Sequence, residues 1–432
     1  MRAAITGLNG ASWSGPPSLE IARPDCEVGR TFPILSPEAT MTAQSLYSDF
    51  DFAYEEAPQL HEILQEMEDQ GPVLPVLFHG EKAFLIRGYH ELREAFADEV
   101  HFASKAFYRK SAEPSMGRNM QSLSGEAHRI NRALVSRSFL PRRVLAYIEG
   151  PITEEATRRV EALSTQSEVD LVEAFARPFP FSVIARLLGL PVEDEPLFLT
   201  WALKIIDWPW DPEGAIRARD QFTDYLRPLL AQRRLDPAED VLSIMATAEV
   251  EGARLEDEEV FSLCRLLFPA GSDTAYKNLG SLLGSILGRP GMRELATGTD
   301  KDREKLVQEG LRYEPPVALL PRACSQTLDF HGTRIEAGMP LLFGLAPANR
   351  DPRVFEDPHR FNPERSNNAQ HLSFGHGVHF CIGSHLARRE LETGIRILFE
   401  RYPEMQLASK EKIDNEGCVL RGPKEILVRL EP

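Results

Sequence analysis

The most distinctive pattern along this chain is a long apolar stretch, 262–287, with the sequence SLCRLLFPAGSDTAYKNLGSLLGSIL. Its length fits one helix, and its apolar residues fall on nearly every face of that helix. A helix of this kind belongs in the interior of a folded domain, because none of its faces suits water. The pattern therefore predicts a long central helix that other parts of the chain surround.

Around that stretch, the pattern of apolar and polar positions predicts a mostly helical protein. Further helices are predicted at 54–70, at 384–401 and over most of 89–290. Strands are predicted at 73–78 and 83–87, joined by a turn at His79, Gly80 and Glu81, and at 327–343, 405–407, 419–420 and 426–430. The predicted fold class is mainly α with a small β-rich part (α+β).

The first 40 residues differ from the rest of the chain. They are rich in Gly, Pro and Ser and show no periodicity, as in GLNGASWSGPPS. We expect 1–40 to be a disordered extension and 41–432 to form a single domain, with Met41 an alternative start to Met1. No apolar stretch approaches the ~20 residues that a membrane-spanning helix needs.

The middle of the central helix carries an acid and an alcohol, Asp273 and Thr274, shortly after Pro269. Proline lacks the N–H that would bond the carbonyl of Arg265, and its ring clashes with that carbonyl. The Thr274 hydroxyl can bond the carbonyl of Ala270, four residues back. We therefore expect the helix to open locally, so that both polar side chains face a notch. The alternative is a kink tolerated in the core, with Asp273 turned to solvent.

A single cysteine lies in a glycine-rich run, FGHGVHFCIG, which covers 374–383 and precedes the predicted helix 384–401. Glycines let a backbone pass close to a flat, bulky group. The N–H groups at a helix N-terminus lower the pKa of a thiol, so we expect Cys381 to be a thiolate. One thiolate without a second cysteine nearby argues against zinc or an iron–sulfur cluster and suits haem, whose porphyrin supplies the equatorial ligands. The alternative is an inert cysteine in a turn.

Charge and composition exclude several other functions. The chain carries 65 acidic and 49 basic residues, a net charge of −16, which disfavours nucleic acid and anionic membranes as partners. Its five cysteines are scattered, with no pair at metal-ligand spacing, which is typical of a protein in the reducing cytoplasm. The sequence has no HExxH, Walker or GxGxxG motif, so we expect neither a protein-only metal site nor a bound nucleotide.

Three motifs in a fixed order carry a resemblance to a known family. The run 374–383 resembles the haem-binding signature of the cytochrome P-450 family, Phe-Gly-x-Gly-x-His-x-Cys-x-Gly. Residues 270–274 (AGSDT) resemble its oxygen-activation motif, and Glu309 with Arg312 resembles its Glu-x-x-Arg motif, with Arg365 as third member. The resemblance implies the cytochrome P-450 fold of the soluble, bacterial-type members. It also implies a long central helix over haem b (iron protoporphyrin IX), with Cys381 as the axial ligand of the iron.

The resemblance implies roles for individual residues as well. Asp273 and Thr274 would deliver protons to dioxygen bound at haem, and Glu309, Arg312 and Arg365 would form a structural cluster. The residues that would contact haem are His128, Arg132, Ala270, Arg322, Phe374, Gly375, His379, Cys381 and Gly383; those facing its propionates are His128, Arg132, Arg322 and His379. The candidate substrate contacts are Phe107, Met116 and Met120, in the non-periodic stretch 107–123, and Val317, Leu319 and Leu420. For each, the alternative is an ordinary surface base or core packing.

A haem-thiolate monooxygenase is the function that the resemblance implies. It would insert one oxygen atom from O2 into a hydrophobic small molecule, by hydroxylation or epoxidation. Electrons would come from a separate ferredoxin and its reductase, steered electrostatically to a site near Arg137, Arg142 and Arg388. Two alternatives stay open: a peroxide-driven peroxygenase that needs no redox partner, and a haem-binding sensor or carrier without turnover.

Overall fold

The structure of the protein is a computed structural model that describes residues 50–54, 56–165, 167–208, 211–409 and 412–430. The predicted extension 1–40 and the question of Met41 as a start lie outside these residues. The described residues all belong to one compact unit.

Helices make up most of the described chain, as the apolar pattern predicts. The α-helices are α1 (Leu60–Glu66), α2 (Tyr89–Ala97), α3 (Lys105–Ser111), α4 (Glu113–Met116), α5 (Gly125–Ser136), α6 (Pro141–Tyr147), α7 (Thr153–Ala162), α8 (Pro178–Leu187), α9 (Glu195–Ile206), α10 (Pro212–Leu235), α11 (Val241–Thr247), α12 (Asp257–Leu287), α13 (Met292–Thr297), α14 (Asp300–Tyr313), α15 (Leu345–Ala348) and α16 (Ser384–Arg401). Short 3-10 and π turns connect several of them.

The strands form small sheets at the edge of this helical body. They are β1 (Val73–Phe78), β2 (Glu81–Ile86), β3 (Glu168–Asp170), β4 (Leu319–Ala323), β5 (Leu328–Phe330), β6 (Thr333–Ile335), β7 (Pro340–Gly344), β8 (Gln406–Leu407), β9 (Asn415–Glu416), β10 (Gly422–Pro423) and β11 (Leu427–Arg429). The largest sheet has the order β1-β2-β7-β4, with β2 and β7 parallel and the other pairs antiparallel. A second sheet has the order β3-β11-β8, and β5–β6 and β9–β10 form separate pairs.

The central helix α12 is longer and more regular than the apolar stretch predicts. It runs for 31 residues from Asp257, where Glu256 and Glu259 form a capping box. This first turn is polar, so the apolar pattern alone places the helix start too late. Residues 260–269 are all buried. The predicted opening at Pro269 is wrong, because the helix continues without a break and its buried packing outweighs the one bond that proline removes.

The hairpin and the helix before it differ from their predicted bounds. The helix predicted over 54–70 is confined to α1, and a 3-10 turn follows at Glu68–Gln70. Strand β2 begins at Glu81, because the turn needs only His79 and Gly80, both of which have positive φ.

Two other predictions fail because the elements concerned are very short. Residues 419–420 form no strand, and Leu420 makes only an isolated antiparallel bridge to Val317. The stretch 107–123 is not irregular throughout, since it overlaps α3 and contains α4. Neither a single bridge nor a helix of one or two turns leaves a readable periodicity.

A buried ion pair connects α14 to the irregular chain that leads to the cysteine. Glu309 and Arg312 are both fully buried, and their carboxylate and guanidinium meet through two hydrogen bonds, of 2.8 and 2.7 Å. Three carbonyls of the following irregular chain also accept from the guanidinium, those of Asn349, Pro358 and Arg360. One arginine therefore satisfies backbone groups that have no sheet or helix to bond them.

The third member of this cluster, Arg365, contributes differently from the prediction. Its Nε lies 3.7 Å from Oε2 of Glu309, too far for a hydrogen bond. Arg365 donates instead to the carbonyls of Glu356, Asp357 and Arg360. The acid is therefore held by one guanidinium fork rather than two, and the backbone N–H of Asn362 donates to Oε1 at 2.7 Å.

Candidate active site

The cysteine run folds as a tight loop against α2 and just before α16. Gly377 has a φ of 73°, and a Cβ there would lie 2.7 Å from the carbonyl oxygen of Phe96, so only glycine fits this approach. The N–H of Cys381 donates to the carbonyl of Phe374 at 2.9 Å. Gly383 is the N-cap of α16. The loop presents Cys381 as an exposed, free thiol next to a helix N-terminus.

The surroundings of Cys381 do not lower its pKa as predicted. Desolvation by the protein around the thiol raises its pKa, although the N–H of Gly383 and the charges of Arg132 and Arg388 act in the opposite direction. In this structure burial outweighs the helix N-terminus that was predicted to favour a thiolate. A coordinated metal ion also favours the thiolate form of a cysteine.

The structure brings α5 against the cysteine loop. The rings of His128, on α5, and His379, in the loop, have centroids 4.1 Å apart. Arg132, one turn further along α5, donates through Nη2 to the carbonyl of Phe380 at 2.5 Å. Three of the four predicted propionate contacts, His128, Arg132 and His379, thus lie close to the residues that precede Cys381 in the loop.

Arg322, the fourth predicted contact, extends from β4 into the same region. Its Nη1 donates to the hydroxyl of Tyr108 at 3.2 Å. Burial raises the pKa of Glu99, but nearby bases outweigh burial and hold that pKa below its ordinary value; they include His379, His128 and Arg322. Burial also lowers the pKa of His128 to about 4, so His128 offers a hydrogen bond rather than a charge.

Unpaired groups and exposed apolar surface near the loop fit a flat, anionic cofactor such as haem. Nε2 of His128 is buried without a hydrogen-bond partner among the described residues. Ala270 is exposed although 260–269 are all buried, and Phe380 and Val378 are 39% and 52% exposed. No group of three or more His, Cys, Asp or Glu in the described chain is arranged to hold a metal ion by itself. A porphyrin needs only an axial ligand from the protein.

Asp273 and Thr274 lie on α12 shortly after Ala270, in an intact helix. Oγ1 of Thr274 donates to the carbonyl of Ala270 at 2.9 Å, which is the predicted bond. Burial raises the pKa of Asp273, with Lys277 and Arg177 acting in the opposite direction. Nζ of Lys277 lies 3.9 Å from the Asp273 carboxylate. The acid is 17% exposed, so the alternative of an acid turned to solvent is wrong.

The candidate substrate contacts after α14 divide into two kinds. Val317 and Leu420 pair as an antiparallel bridge, and both are partly exposed. Leu319 differs from them, because it is fully buried in the cluster that packs β1 and β2 on α1. Side chains alternate along a strand, so in β4 the neighbouring Leu320 takes the opposite face and is partly exposed.

The remaining substrate candidates lie in the segment 105–123. Phe107 is partly exposed, whereas Met116 and Met120 are buried against the main core. Sequence reasoning missed one residue that bonds to this segment, Arg265, whose Nε donates from α12 to the carbonyl of Met116 at 2.8 Å. A signal for it was present, because an arginine inside an apolar helix needs polar partners from elsewhere in the fold.

Two of the arginines predicted to meet a redox partner border an open groove of about 370 Å³. Its lining residues are Arg137, Leu140, Arg142, Arg143, Ile244, Thr247 and Ala248. Arg388, on α16, does not line the groove. Its guanidinium lies over the ring of Phe374, 5.3 Å from the ring centroid, and so packs on the cysteine loop.

Comparison with known proteins matches residues 304–430 to a family model described as Cytochrome P450. Cytochrome P450 monooxygenase PikC of Streptomyces venezuelae is 33% identical over 359 residues, which cover 81% of this chain and 86% of PikC. 6-Deoxyerythronolide B hydroxylase of Saccharopolyspora erythraea is 30% identical over 387 residues, which cover 85% of this chain and 95% of that enzyme.

The architecture matches solved structures over most of its length. Cytochrome P450 PksS of the Bacillus subtilis 168 bacillaene polyketide synthase superposes with a TM-score of 0.80 at 28% identity, over 87% of this chain and 97% of that chain. Among the described residues, no helix has both the length and the apolar character needed to cross a membrane. The mainly α fold with small sheets and the extended sequence identity lead to one conclusion: this chain belongs to the cytochrome P450 family.

Proposed function

We propose that this cytochrome P450 monooxygenase binds haem b through Cys381 and inserts one oxygen atom from O2 into a hydrophobic small molecule. The observation that carries the proposal is the exposed Cys381 thiol, held in a glycine loop beside bases from α5. A lone thiol in that setting suits an iron porphyrin with its two propionates. We also propose that 41–432 forms one catalytic unit.

Each predicted haem contact has a place in this proposal. Cys381 supplies the axial thiolate. Arg132, Arg322 and His379 pair with the propionates, and His128 donates a hydrogen bond through its otherwise unpaired Nε2. The small or apolar residues that line the ring are Ala270, Phe374, Gly375 and Gly383. Glu309, Arg312 and Arg365 act structurally, by holding the chain between α14 and the cysteine loop.

With Cys381 as its thiolate ligand, a bound haem would supply the activation of O2, because a thiolate donates electron density that favours O–O cleavage. The chain contributes the protons for this chemistry. Burial favours the protonated form of Asp273, whose carboxylate lies 3.9 Å from Nζ of Lys277. Oγ1 of Thr274 is held in place by its bond to the Ala270 carbonyl, so the hydroxyl can pass that proton inward.

The proposed substrate surface is apolar. It comprises Phe107, Met116, Met120, Val317 and Leu420, so the substrate must present hydrophobic surface of its own. The names of relatives support hydroxylation or epoxidation. They include a vitamin D(3) 25-hydroxylase of Pseudonocardia autotrophica, 32% identical, and a cyclomarin C epoxidase of Salinispora arenicola, 29% identical.

A ferredoxin-type protein is the proposed electron donor. The groove that Arg137 and Arg142 line is locally basic on a chain of net charge −16, so an acidic partner is steered towards it. We propose docking near Arg137, Arg142 and Arg388, of which Arg388 contacts the cysteine loop through Phe374. Cys264, Cys324 and Cys381 are free thiols, which supports a reducing, cytoplasmic setting.

The first experiment is the difference spectrum of the dithionite-reduced protein with carbon monoxide. We expect the red-shifted Soret band that a thiolate ligand gives, and we expect Cys381→Ala to lose it. Cys418→Ala removes another cysteine of the same chain and should keep the band. A haem–CO band without the red shift, or protein that takes up no haem, contradicts the proposal.

A further inference from the structure

Arg265 is a buried arginine in the middle of the molecule, on α12 and five residues before Ala270. Its side chain is 2% exposed. Burial lowers its pKa, and Glu258, which is 69% exposed, acts in the opposite direction. A guanidinium in such a place is costly unless its donors are satisfied, so the residues that satisfy them are informative.

The donors of Arg265 connect three parts of the fold. Nε donates to the carbonyl of Met116, at the end of α4, at 2.8 Å. Nη1 donates to Oγ1 of Thr223, on α10, at 2.6 Å. Nη2 pairs with Glu258, on α12 itself. One side chain therefore joins α4 and α10 to the central helix.

The chain also approaches Arg265 unusually closely just after α4. Gly117 has a φ of 85°, and a Cβ there would lie 2.9 Å from Nη2 of Arg265 and 3.0 Å from Oγ of Ser262. A second arginine acts on the same short helix, since Nη1 of Arg219, on α10, donates to the carbonyl of Pro114 at 3.0 Å. Carbonyls near both ends of α4 thus accept from arginines of neighbouring helices.

The chain that follows α4 is held mainly by bonds of its own. Asn119 donates to the carbonyl of Gly117 at 3.0 Å and accepts from the N–H of Gln121 at 3.0 Å. Ser122 and Asn119 bond each other in the same turn. Bonds within a turn do not attach it to the rest of the fold. Outside this turn, Oγ of Ser104 donates to the carbonyl of Gln121 at 2.6 Å, and Met116 and Met120 pack in the main core. The contacts of Arg265 and Arg219 are the hydrogen bonds that attach α4 to α12 and α10.

We propose that Arg265 is a positioning residue that holds the segment 105–123 closed over the substrate site and releases it when the segment opens. This inference rests on the proposed function, which places Met116 and Met120 beside the substrate. All three contacts of the guanidinium are polar, so water can replace them in an open state. The net free energy of such a contact is small, because water offers the same hydrogen bonds, and this suits a contact that breaks and forms reversibly.

The test measures opening directly, in the haem-loaded protein. Amide hydrogen exchange of 105–123 reports the opening equilibrium without any ligand. The dissociation rate of 4-phenylimidazole, an apolar azole that ligates haem iron, reports passage out of the site. Arg265→Met removes all three contacts. Thr223→Val removes the contact of Arg265 to α10, together with the bond from Oγ1 of Thr223 to the carbonyl of Arg219 within that helix. Arg303→Met is the matched control, because Arg303 is also a buried helical arginine, bonded to the carbonyl of Gly298 and to Asp300.

We expect Arg265→Met to speed exchange of 105–123 and azole dissociation by about tenfold or more, and Thr223→Val by about threefold. Arg303→Met should change neither rate. Unchanged rates in both Arg265→Met and Thr223→Val overturn the inference, and so does an equal acceleration in Arg303→Met. If Arg265→Met does not bind haem, Thr223→Val decides alone. The carbon monoxide spectrum of the same samples tests the proposed function separately. A wild-type spectrum without the thiolate band contradicts that function but not the role of Arg265.

Discussion

Two buried glutamates show how neighbours decide the state of a carboxyl group. Glu314 is bonded to His61 at 2.9 Å and to Arg421 at 2.6 Å. Burial raises its pKa, but His61, Arg421 and Arg350 outweigh burial and hold the pKa below its ordinary value. Oε1 of Glu390 is buried with no partner among the described residues, and burial raises the pKa of Glu390 to about 8. At neutral pH, Glu314 is ionised and Glu390 is protonated.

The protonated Glu390 should make the protein less stable as the pH rises. Its pKa is about 8 in the folded state and 4.5 in the unfolded chain, so between these values only the folded state binds the proton. The free energy of unfolding then falls by about 1.4 kcal/mol for each pH unit. Glu390→Gln removes this pH dependence. The free energy of unfolding of the variant should therefore increase steadily relative to that of the wild type from pH 5 to pH 8. Denaturant unfolding of the haem-loaded proteins across this range checks it, and parallel curves would contradict it.

At the scale of whole elements, the sequence predicts the presence of long helices better than it predicts their first residues or the effect of a proline inside them. Helix α16 has its predicted bounds, because its apolar periodicity starts at the N-cap glycine. Helix α12 starts earlier than predicted, because its capping box is polar, and Pro269 does not open it, because buried packing holds both sides. Strands of two or three residues and the short helices of 105–123 leave too few positions for a pattern.

Packing of α12 against β10 gives an element-scale prediction from two glycines of one helix. A Cβ at Gly280 would lie 2.8 Å from the ring of Pro423, which cannot move aside, whereas a Cβ at Gly284 would make an ordinary contact with Ile413 at 3.4 Å. Gly280→Ala should cost about 1–3 kcal/mol through overpacking. Gly284→Ala, the control, should be neutral or stabilise the helix by up to about 1 kcal/mol. Denaturant unfolding distinguishes the two, and equal effects would show that α12 and β10 pack less closely.

For the whole molecule, the order of short motifs is enough to indicate the family, whereas contacts between distant parts of the chain cannot be predicted from the sequence pattern. Glu309 pairs with Arg312 within α14, and Thr274 bonds Ala270 within α12. Because each pair lies within a single helix, residue spacing predicts it. Arg365 donates its hydrogen bonds to backbone carbonyls and only approaches Glu309, at 3.7 Å, and Leu319 faces the core. These outcomes depend on where distant elements pack, which no local pattern specifies.

Charge distribution over the whole molecule gives a prediction for electron transfer. Arg142 is exposed at the basic groove of an acidic chain, so Arg142→Glu should weaken the attraction of an acidic ferredoxin. We expect the KM for ferredoxin to rise about tenfold at low ionic strength and the difference to shrink as salt screens it. Lys301→Glu makes the same charge change at an exposed position on α14 and is the control. Equal KM values for the two variants would place docking elsewhere.

The close approach at Gly117 separates two properties of the enzyme that are usually altered together. A methyl group there would lie 2.9 Å from Arg265 and 3.0 Å from Ser262. The methyl group of Gly117→Ala would therefore push the segment 105–123 away from α12. The residues proposed to contact the substrate would keep their side chains. The rates of substrate entry and exit would then depend on Gly117, whereas substrate selectivity would depend on other residues. Selection or design could change these rates without changing the side chains that contact the substrate.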